Sequence, residues 1–469
     1  KAHLGDWQIV SPGRATGTLR VVKALAGVVE QDFPEPTVIV SHGISGQEEI
    51  PENITAVITS DTTDVVSHVA IRARNAGVVL ATCYGPDTLA LLESFEGQRV
   101  MVQTTATGEV IVKEAGEPEP AVLDSSGARV SPRPRPEFTR YAIPASAFEE
   151  GSVGAKALNL KRLYGRLPEW IHFPASVALP FGVFEKVLND HANLATADQY
   201  NQLTEQLSST PAATRMEVLN ALKQTILALS APGALATALR KTMLQQGLPW
   251  PESWQQAWTC IKRVWASKWN ERAFLSRQAR GIPHEDIVMA VLIQSVVEAQ
   301  YSFVIHTVNP ITGNLHEIYA EIAVGLGETL VGNTPGRAFG FTVDKRTGKK
   351  EVLSFPSKRD GMFGGGLIFR SDSNAEDLAD YAGAGLYDSV MFPPPNERCL
   401  DYTALPLISD KTFREKLMGT IAALGSAVEE LFDAPQDIEG AYNKGKVFVV
   451  QTRPQVGLVT EPQDGIAPQ

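Results

Sequence analysis

The chain has 469 residues, room for two or three domains of ordinary size, each with its own core. Apolar residues make up 43% and charged residues 20%, a globular balance that argues against wholesale disorder. The 42 basic and 53 acidic side chains leave a formal charge of −11, which argues against a nucleic-acid partner and an anionic membrane surface, and no run approaches the ~18 apolar residues of a membrane-spanning helix.

Residues 1–113 read as one α/β unit. The first residues are Lys1, Ala2 and His3 rather than Met, which suggests the edge of a processed or excised region. Runs rich in Val, Ile and Thr predict strands at 18–22, 37–40, 54–59, 78–82, 100–104 and 109–112. The last two flank a hairpin turn at 105–108. One helix interrupts them. Val66, Val69, Ala70, Ala73 and Ala76 recur at helical spacing, with Ser67 placed to cap the start and Gly77 to end it. His68 then falls in the first turn, where free amides and the positive dipole end suit an anion. Arg72 lies one turn on, on the same side. From this geometry alone, His68 is either a phosphoryl carrier or an ordinary capping residue.

Residues 114–137 are rich in Pro, Gly, Ser and charge and lack an apolar period, the composition of a linker or a surface loop. Residues 138–469 are mixed. Helices are predicted at 180–188, over much of 198–245, through 254–277 and at 412–432. Strands are predicted at 287–297, 302–307, 317–323, 367–370 and 447–451. Trp254, Trp258, Ile261, Trp265 and Trp269 share one helix face, either a buried stripe or a sugar-stacking platform. Cys83, Cys260 and Cys399 are sparse, suit a reducing compartment and show no metal spacing.

Several polar clusters in this half suit a nucleotide. Lys156 follows small residues (Gly151, Gly154, Ala155) at a helix start, where phosphates can approach backbone and a mobile cation. Glu321 lies eight residues after the Gly313 turn, and Glu328 closes a Gly-Leu-Gly-Glu string. Arg370 and Ser371 stand at a strand end, an arrangement suited to polyphosphate. Asp437 and Glu439 alternate along a strand and so share one face, a pair suited to Mg²⁺ between phosphates. Gln451 and Arg453 follow on the next strand.

The string from Asp64 to Cys83 around His68, with Glu48 and Glu49 before it, resembles the α-glucan, water dikinases, within the wider superfamily of phosphoenolpyruvate synthase and pyruvate phosphate dikinase. The helix around Val264–Ala273, with Arg272, is similar to one shared by the dikinases. The Arg370 cluster comes after the Asn309-Pro-Ile-Thr-Gly313 turn, an order that also resembles the glucan branch. The resemblance runs from about Val38 to Val456. It implies an α/β fold in which a swivelling phosphohistidine domain (1–113) is linked (114–137) to a two-lobed ATP-grasp nucleotide-binding domain (138–469).

The implied enzyme passes the β-phosphate of ATP through His68 to a glucosyl hydroxyl of α-glucan or starch, at C6 rather than C3. The γ-phosphate goes to water. Arg72, Lys156, Arg370 and Arg453 would assist catalysis. Lys156, Glu321, Glu328, Arg370, Ser371, Asp437, Glu439, Gln451 and Arg453 would hold nucleotide, and Asp437 and Glu439 would hold Mg²⁺. The implied compartment is the plastid stroma in a plant or green alga, and otherwise the cytoplasm. A phosphoenolpyruvate synthase-like reading needs a further barrel domain that this sequence does not contain. A non-catalytic, starch-associated regulatory module gives no reason for His68, Asp437, Glu439 and Arg453 to occur together. Oligomeric state is not legible.

Overall fold

The computed structural model describes residues 5–29, 31–46, 48–105, 107–116, 137–375 and 385–458. Most of the expected linker, 117–136, and part of the segment after Arg370, 376–384, lie outside the described residues.

The amino-terminal unit is built on a mixed seven-stranded sheet. Its middle is four parallel strands, Arg14–Val22, Thr37–Ser41, Ile54–Thr59 and Val79–Cys83. Strands Thr37–Ser41 and Val79–Cys83 are buried along their whole length, because both faces of the sheet are covered. Val38 and Val40 face one core, with Leu92. Ile39 and Val57 face the other, with Val69, Ala70 and Ala73 of helix His68–Asn75. The six predicted strands are present. Three elements were not predicted: an antiparallel edge strand, Trp7–Ser11, a short 3-10 helix, Leu25–Val28, and helix Pro86–Glu93, which is short and starts on a proline.

The carboxy-terminal half holds two larger sheets. One has five antiparallel strands, with Met289–Ser295 between Leu367–Ser373 and Ser176–Leu179. Helices Ala212–Leu227, Gly233–Gln245 and Trp254–Ala266 pack with it around the largest core. Trp258, Trp265 and Trp269 lie inside that core, so the tryptophan stripe is packing rather than a sugar platform there. The expected single helix over 254–277 is broken: it becomes Trp254–Ala266, a short 3-10 turn and Glu271–Ala279. The break falls at Asn270, whose backbone is extended and whose amide Nδ2 donates to Asp388 Oδ1 at 2.8 Å.

The second large sheet runs Lys350–Ser354, Phe339–Asp344, Glu317–Val324, Tyr301–His306, Gln436–Asn443, Lys446–Pro454 and Ile171–His172. Side chains alternate across it. Phe303, Ile305, Ile318, Ile322 and Ile438 face the long helix Lys411–Phe432 and bury its apolar stripe. The opposite face is polar. There His306 pairs in register with Asp437 and with Tyr319, Glu321 pairs with Val304, and Glu439 and Asp437 pair with Gln451 and Arg453. No helix among the described residues is long and apolar enough to cross a membrane.

Candidate functional site

A cavity of about 400 Å³ lies where the polar sheet face, the Leu367–Ser373 strand and the histidine helix converge, a size that suits a small-molecule ligand. His68, Lys156, Glu328, Arg370, Glu439 and Arg453 all line it. Ser371 and Gln451 line it as well. Arg263 and Arg272 add positive charge, while Val297, Ile368 and Met391 add apolar wall.

His68 opens helix His68–Asn75. Ser67 occupies the cap position, but its side chain does not cap the helix; its Oγ donates to the Asp64 carbonyl at 2.7 Å and tightens the preceding turn. Burial, then the positive charges of Arg72, Arg453, Arg272 and Lys156, hold the imidazole well below its ordinary pKa. It is therefore neutral at neutral pH and keeps a lone pair. Gly385 lies against the ring: a Cβ there would stand 2.6 Å from Nδ1. Its φ of +70° also favours glycine.

Four arginines at or near the site, Arg72, Arg272, Arg370 and Arg453, each have a carboxylate beside them. Arg72 lies 3.5 Å from Glu49 and donates from Nε to the Glu48 carbonyl at 3.0 Å. Arg272 bonds Asp388 at 2.7 Å. Arg370 donates to Gln451 Oε1 at 2.8 Å and reaches Glu439 at 3.3 Å. Arg453 places Nε and Nη2 on Asp437 Oδ2, both at 2.8 Å. These pairs fix the guanidinium forks before any ligand arrives.

The lysine helix departs from expectation in one respect. Its starting amides are already occupied: Gly154 and Lys156 donate to the Asp372 carboxylate at 2.8 and 3.0 Å. Gly154 is small for the sake of that carboxylate, since a Cβ would lie 2.5 Å from Asp372 Oδ1. Lys156 Nζ donates to the Ser371 carbonyl at 3.0 Å and to its Oγ at 3.3 Å, at the cavity wall.

Glu321 also lies elsewhere than expected. It does not line the cavity. It accepts from Tyr319 Oη at 2.7 Å and from the Val65 amide at 3.2 Å, so it receives the amino-terminal unit. Burial raises its pKa. Glu328 does line the cavity, and burial raises its pKa against the pull of Arg370.

Carboxylate oxygens are the donors Mg²⁺ prefers, and it retains several waters. Glu439 and Glu328 offer them at the cavity wall, while Asp437 Oδ2 is covered by Arg453. Among the described residues no cluster of three metal-ligating side chains is gathered. The donor set fits an ion shared between one or two carboxylates and a phosphate ligand, and not a protein cage.

Several residues at the cavity or at the contact of the amino-terminal unit with the rest carry no motif signal. Asp388, Asn333 and Lys358 are examples; Lys358 sits in a Lys-Arg-Asp run that reads as solvated surface, yet is 1% exposed. Asp64 and Asp372 stand inside informative strings, where only the three-dimensional contacts reveal their roles.

Two family descriptions match parts of the chain. Residues 6–121 match the family described as α-glucan water dikinase, phosphohistidine-like domain. Residues 245–360 match pyruvate phosphate dikinase, AMP/ATP-binding domain. The chain is 44% identical over 97% of its length to the chloroplastic α-glucan water dikinase of Citrus reticulata, covering 32% of that protein. It is 45% identical, with the same coverages of 97% and 32%, to that of Solanum tuberosum. A phosphoenolpyruvate synthase of Pyrococcus furiosus is 30% identical over 43% of this chain and 22% of its own. The chain spans about a third of the length of the α-glucan water dikinases it matches first.

Proposed function

We propose that this chain, a relative of the α-glucan water dikinases along nearly all of its length, performs their phosphoryl transfer with His68 as carrier. The observation that carries the reading is the presence of His68 in the same cavity wall as Lys156, Arg370 and Arg453. ATP binds there, its phosphates beside these cations, in a nucleotide unit of the ATP-grasp type. Gly385 covers the Nδ1 edge, which leaves Nε2 as the attacking nitrogen.

In the loading step the imidazole lone pair forms a P–N bond to the β-phosphorus. The bond from that phosphorus to the oxygen bridging it to the α-phosphate breaks, and AMP leaves. A water oxygen then attacks the γ-phosphorus, the bond from that phosphorus to the oxygen bridging it to the β-phosphate breaks, and inorganic phosphate leaves with the β-phosphoryl group still on the histidine. In the delivery step a glucosyl hydroxyl oxygen attacks the phosphohistidine, the P–N bond breaks and the imidazole returns. The sum is ATP, α-glucan and water giving AMP, phosphoglucan and phosphate. Arg370 and Arg453 neutralise charge on the transferring group and orient it, the larger part of catalysis in such reactions. Mg²⁺, held by Glu439 with Asp437 or Glu328, would supply further neutralisation of the triphosphate.

One histidine must meet two substrates, so the amino-terminal unit swivels between the nucleotide cavity and the glucan. The acceptor is the C6 hydroxyl, a choice based on the residues around His68. The plant relatives carry the word chloroplastic in their names, and the same plastid location is proposed for this chain.

The test uses ATP labelled separately at the β and γ positions. Label from β alone should appear on the protein, and His68→Ala should abolish it. Label arriving from γ would overturn the mechanism. Positional analysis of the phosphoglucan then decides C6 against C3.

A further inference from the structure

The contact between the amino-terminal unit and the rest of the chain centres on one buried ion pair. Asp64 and Lys358 are 2% and 1% exposed, and Nζ lies 2.6 Å from Oδ2. They are 294 residues apart in sequence. Lys358 is held ready by its own side of the contact, because two of its three ammonium protons go to the carbonyls of Thr334 and Gly336. The third is presented to Asp64. Asp64 answers with its whole polar surface: Oδ1 accepts from the Ala338 amide at 3.3 Å, and its own amide donates to Asn333 Oδ1 at 3.0 Å.

The next residue continues the contact. The Val65 amide donates to Glu321, and Val65 and Val66 pack on Val304, Tyr319 and Leu330. Gly46 closes on Asn333 so tightly that a Cβ would stand 2.3 Å from the asparagine Cβ. Asp64 is joined to His68 by a stiff turn, because its carbonyl accepts both the Ser67 amide at 3.1 Å and the Ser67 hydroxyl. Fixing Asp64 therefore fixes the start of the histidine helix four residues on.

We propose that the Asp64–Lys358 pair is a latch that positions His68 over the nucleotide for the loading step and takes no part in delivery to the acceptor. Neither residue lines the nucleotide cavity, so both are positioning residues. The proposal rests on the reading of His68 as carrier. A polar latch suits a contact that must open in every cycle. An apolar plug would gain by staying shut, whereas two buried charges recover their hydration when the unit leaves. Burial raises the pKa of Asp64 against the pull of Lys358, which agrees with a pair whose desolvation offsets much of its attraction.

The test separates the two half-reactions in the full chain. Single-turnover labelling from β-labelled ATP measures loading in Lys358→Met and Asp64→Asn. Fully loaded protein, freed of ATP and mixed with soluble α-glucan, measures delivery. Both variants should load at least tenfold more slowly and deliver within twofold of the wild type. Asn333→Ala should show a smaller loss of the same sign. Small-angle scattering without nucleotide should show a larger radius of gyration for Lys358→Met. Loading at the wild-type rate in both variants overturns the latch, as does equal slowing of loading and delivery. Absence of label from the wild-type protein would instead overturn the carrier reading. The scattering comparison would still decide whether the pair holds the units together.

Discussion

In the proposed reaction His68 is the nucleophile, and its surroundings keep it neutral. A histidine of ordinary pKa near 6.5 would be roughly three-quarters protonated at pH 6 and would lose that share of its rate. With the pKa held well below this by burial and by Arg72, Arg453, Arg272 and Lys156, single-turnover labelling at saturating ATP should change less than about twofold between pH 7.5 and 6. A fall in rate with a midpoint near 6.5 would contradict it. The sign for stability follows. The folded value lies below the unfolded one, so this contribution is fully present above about 6.5 and lost as pH falls below that value. Gly385 makes a second prediction. A methyl group there would push against Nδ1, and displacing a reacting atom by an ångström can cost about 10²-fold. Gly385→Ala should therefore slow labelling by about 10- to 100-fold, and it should also lower the melting temperature by a few degrees, because alanine is strained at a φ of +70°.

At the scale of elements, the site is the polar side of a sheet whose other side is core. Strict alternation puts Ile438 toward the long helix and Asp437 and Glu439 on the opposite, polar face, where Glu439 reaches the cavity and Asp437 is covered by Arg453. That much was legible in the sequence, because period-2 alternation is a local property. The histidine helix, its exit at Gly77 and the order of the strands' residues were legible for the same reason. Contacts that pair distant segments were not. Glu321 sits in a recognisable string, but its partner is Val65, 256 residues away, and no local pattern announces it. The Lys156 helix shows the same limit. Its small residues match a phosphate cradle in sequence, and only the fold reveals that Asp372 fills it. This cap carries a prediction. Asp372→Ala removes the acceptor for the Gly154 and Lys156 amides and should destabilise the nucleotide unit by about 1–3 kcal/mol in denaturant melts. A loss of ATP binding with unchanged stability would mean that the carboxylate serves the ligand and not the helix.

The molecule as a whole is acidic, at −11, yet its docking contact is close to balanced. Arg74, Arg453 and Lys358 stand near Asp437, Glu321 and Asp64, three basic and three acidic side chains. Such a contact selects one docked pose and holds it with modest affinity, so that it can open again. The amino-terminal unit also has a sheet covered on both faces by cores built almost wholly from its own residues, and among its described apolar residues only Val65 and Val66 bury against the rest of the chain on a large scale. Residues 5–116 should therefore unfold cooperatively when produced alone, as followed by circular dichroism. Mixed with a second fragment spanning 137–458, they should accept label from β-labelled ATP in trans. A short tether sets an effective concentration of about millimolar, so the trans rate should rise with fragment concentration and approach the intact rate only in that range. Lys358→Met in the larger fragment should raise the half-saturating concentration. The maximal rate should stay close to that of the unaltered pair, because the cavity cations are untouched. A maximal rate that falls with Lys358→Met, at unchanged half-saturation, would place the lysine in the chemistry and not in the docking.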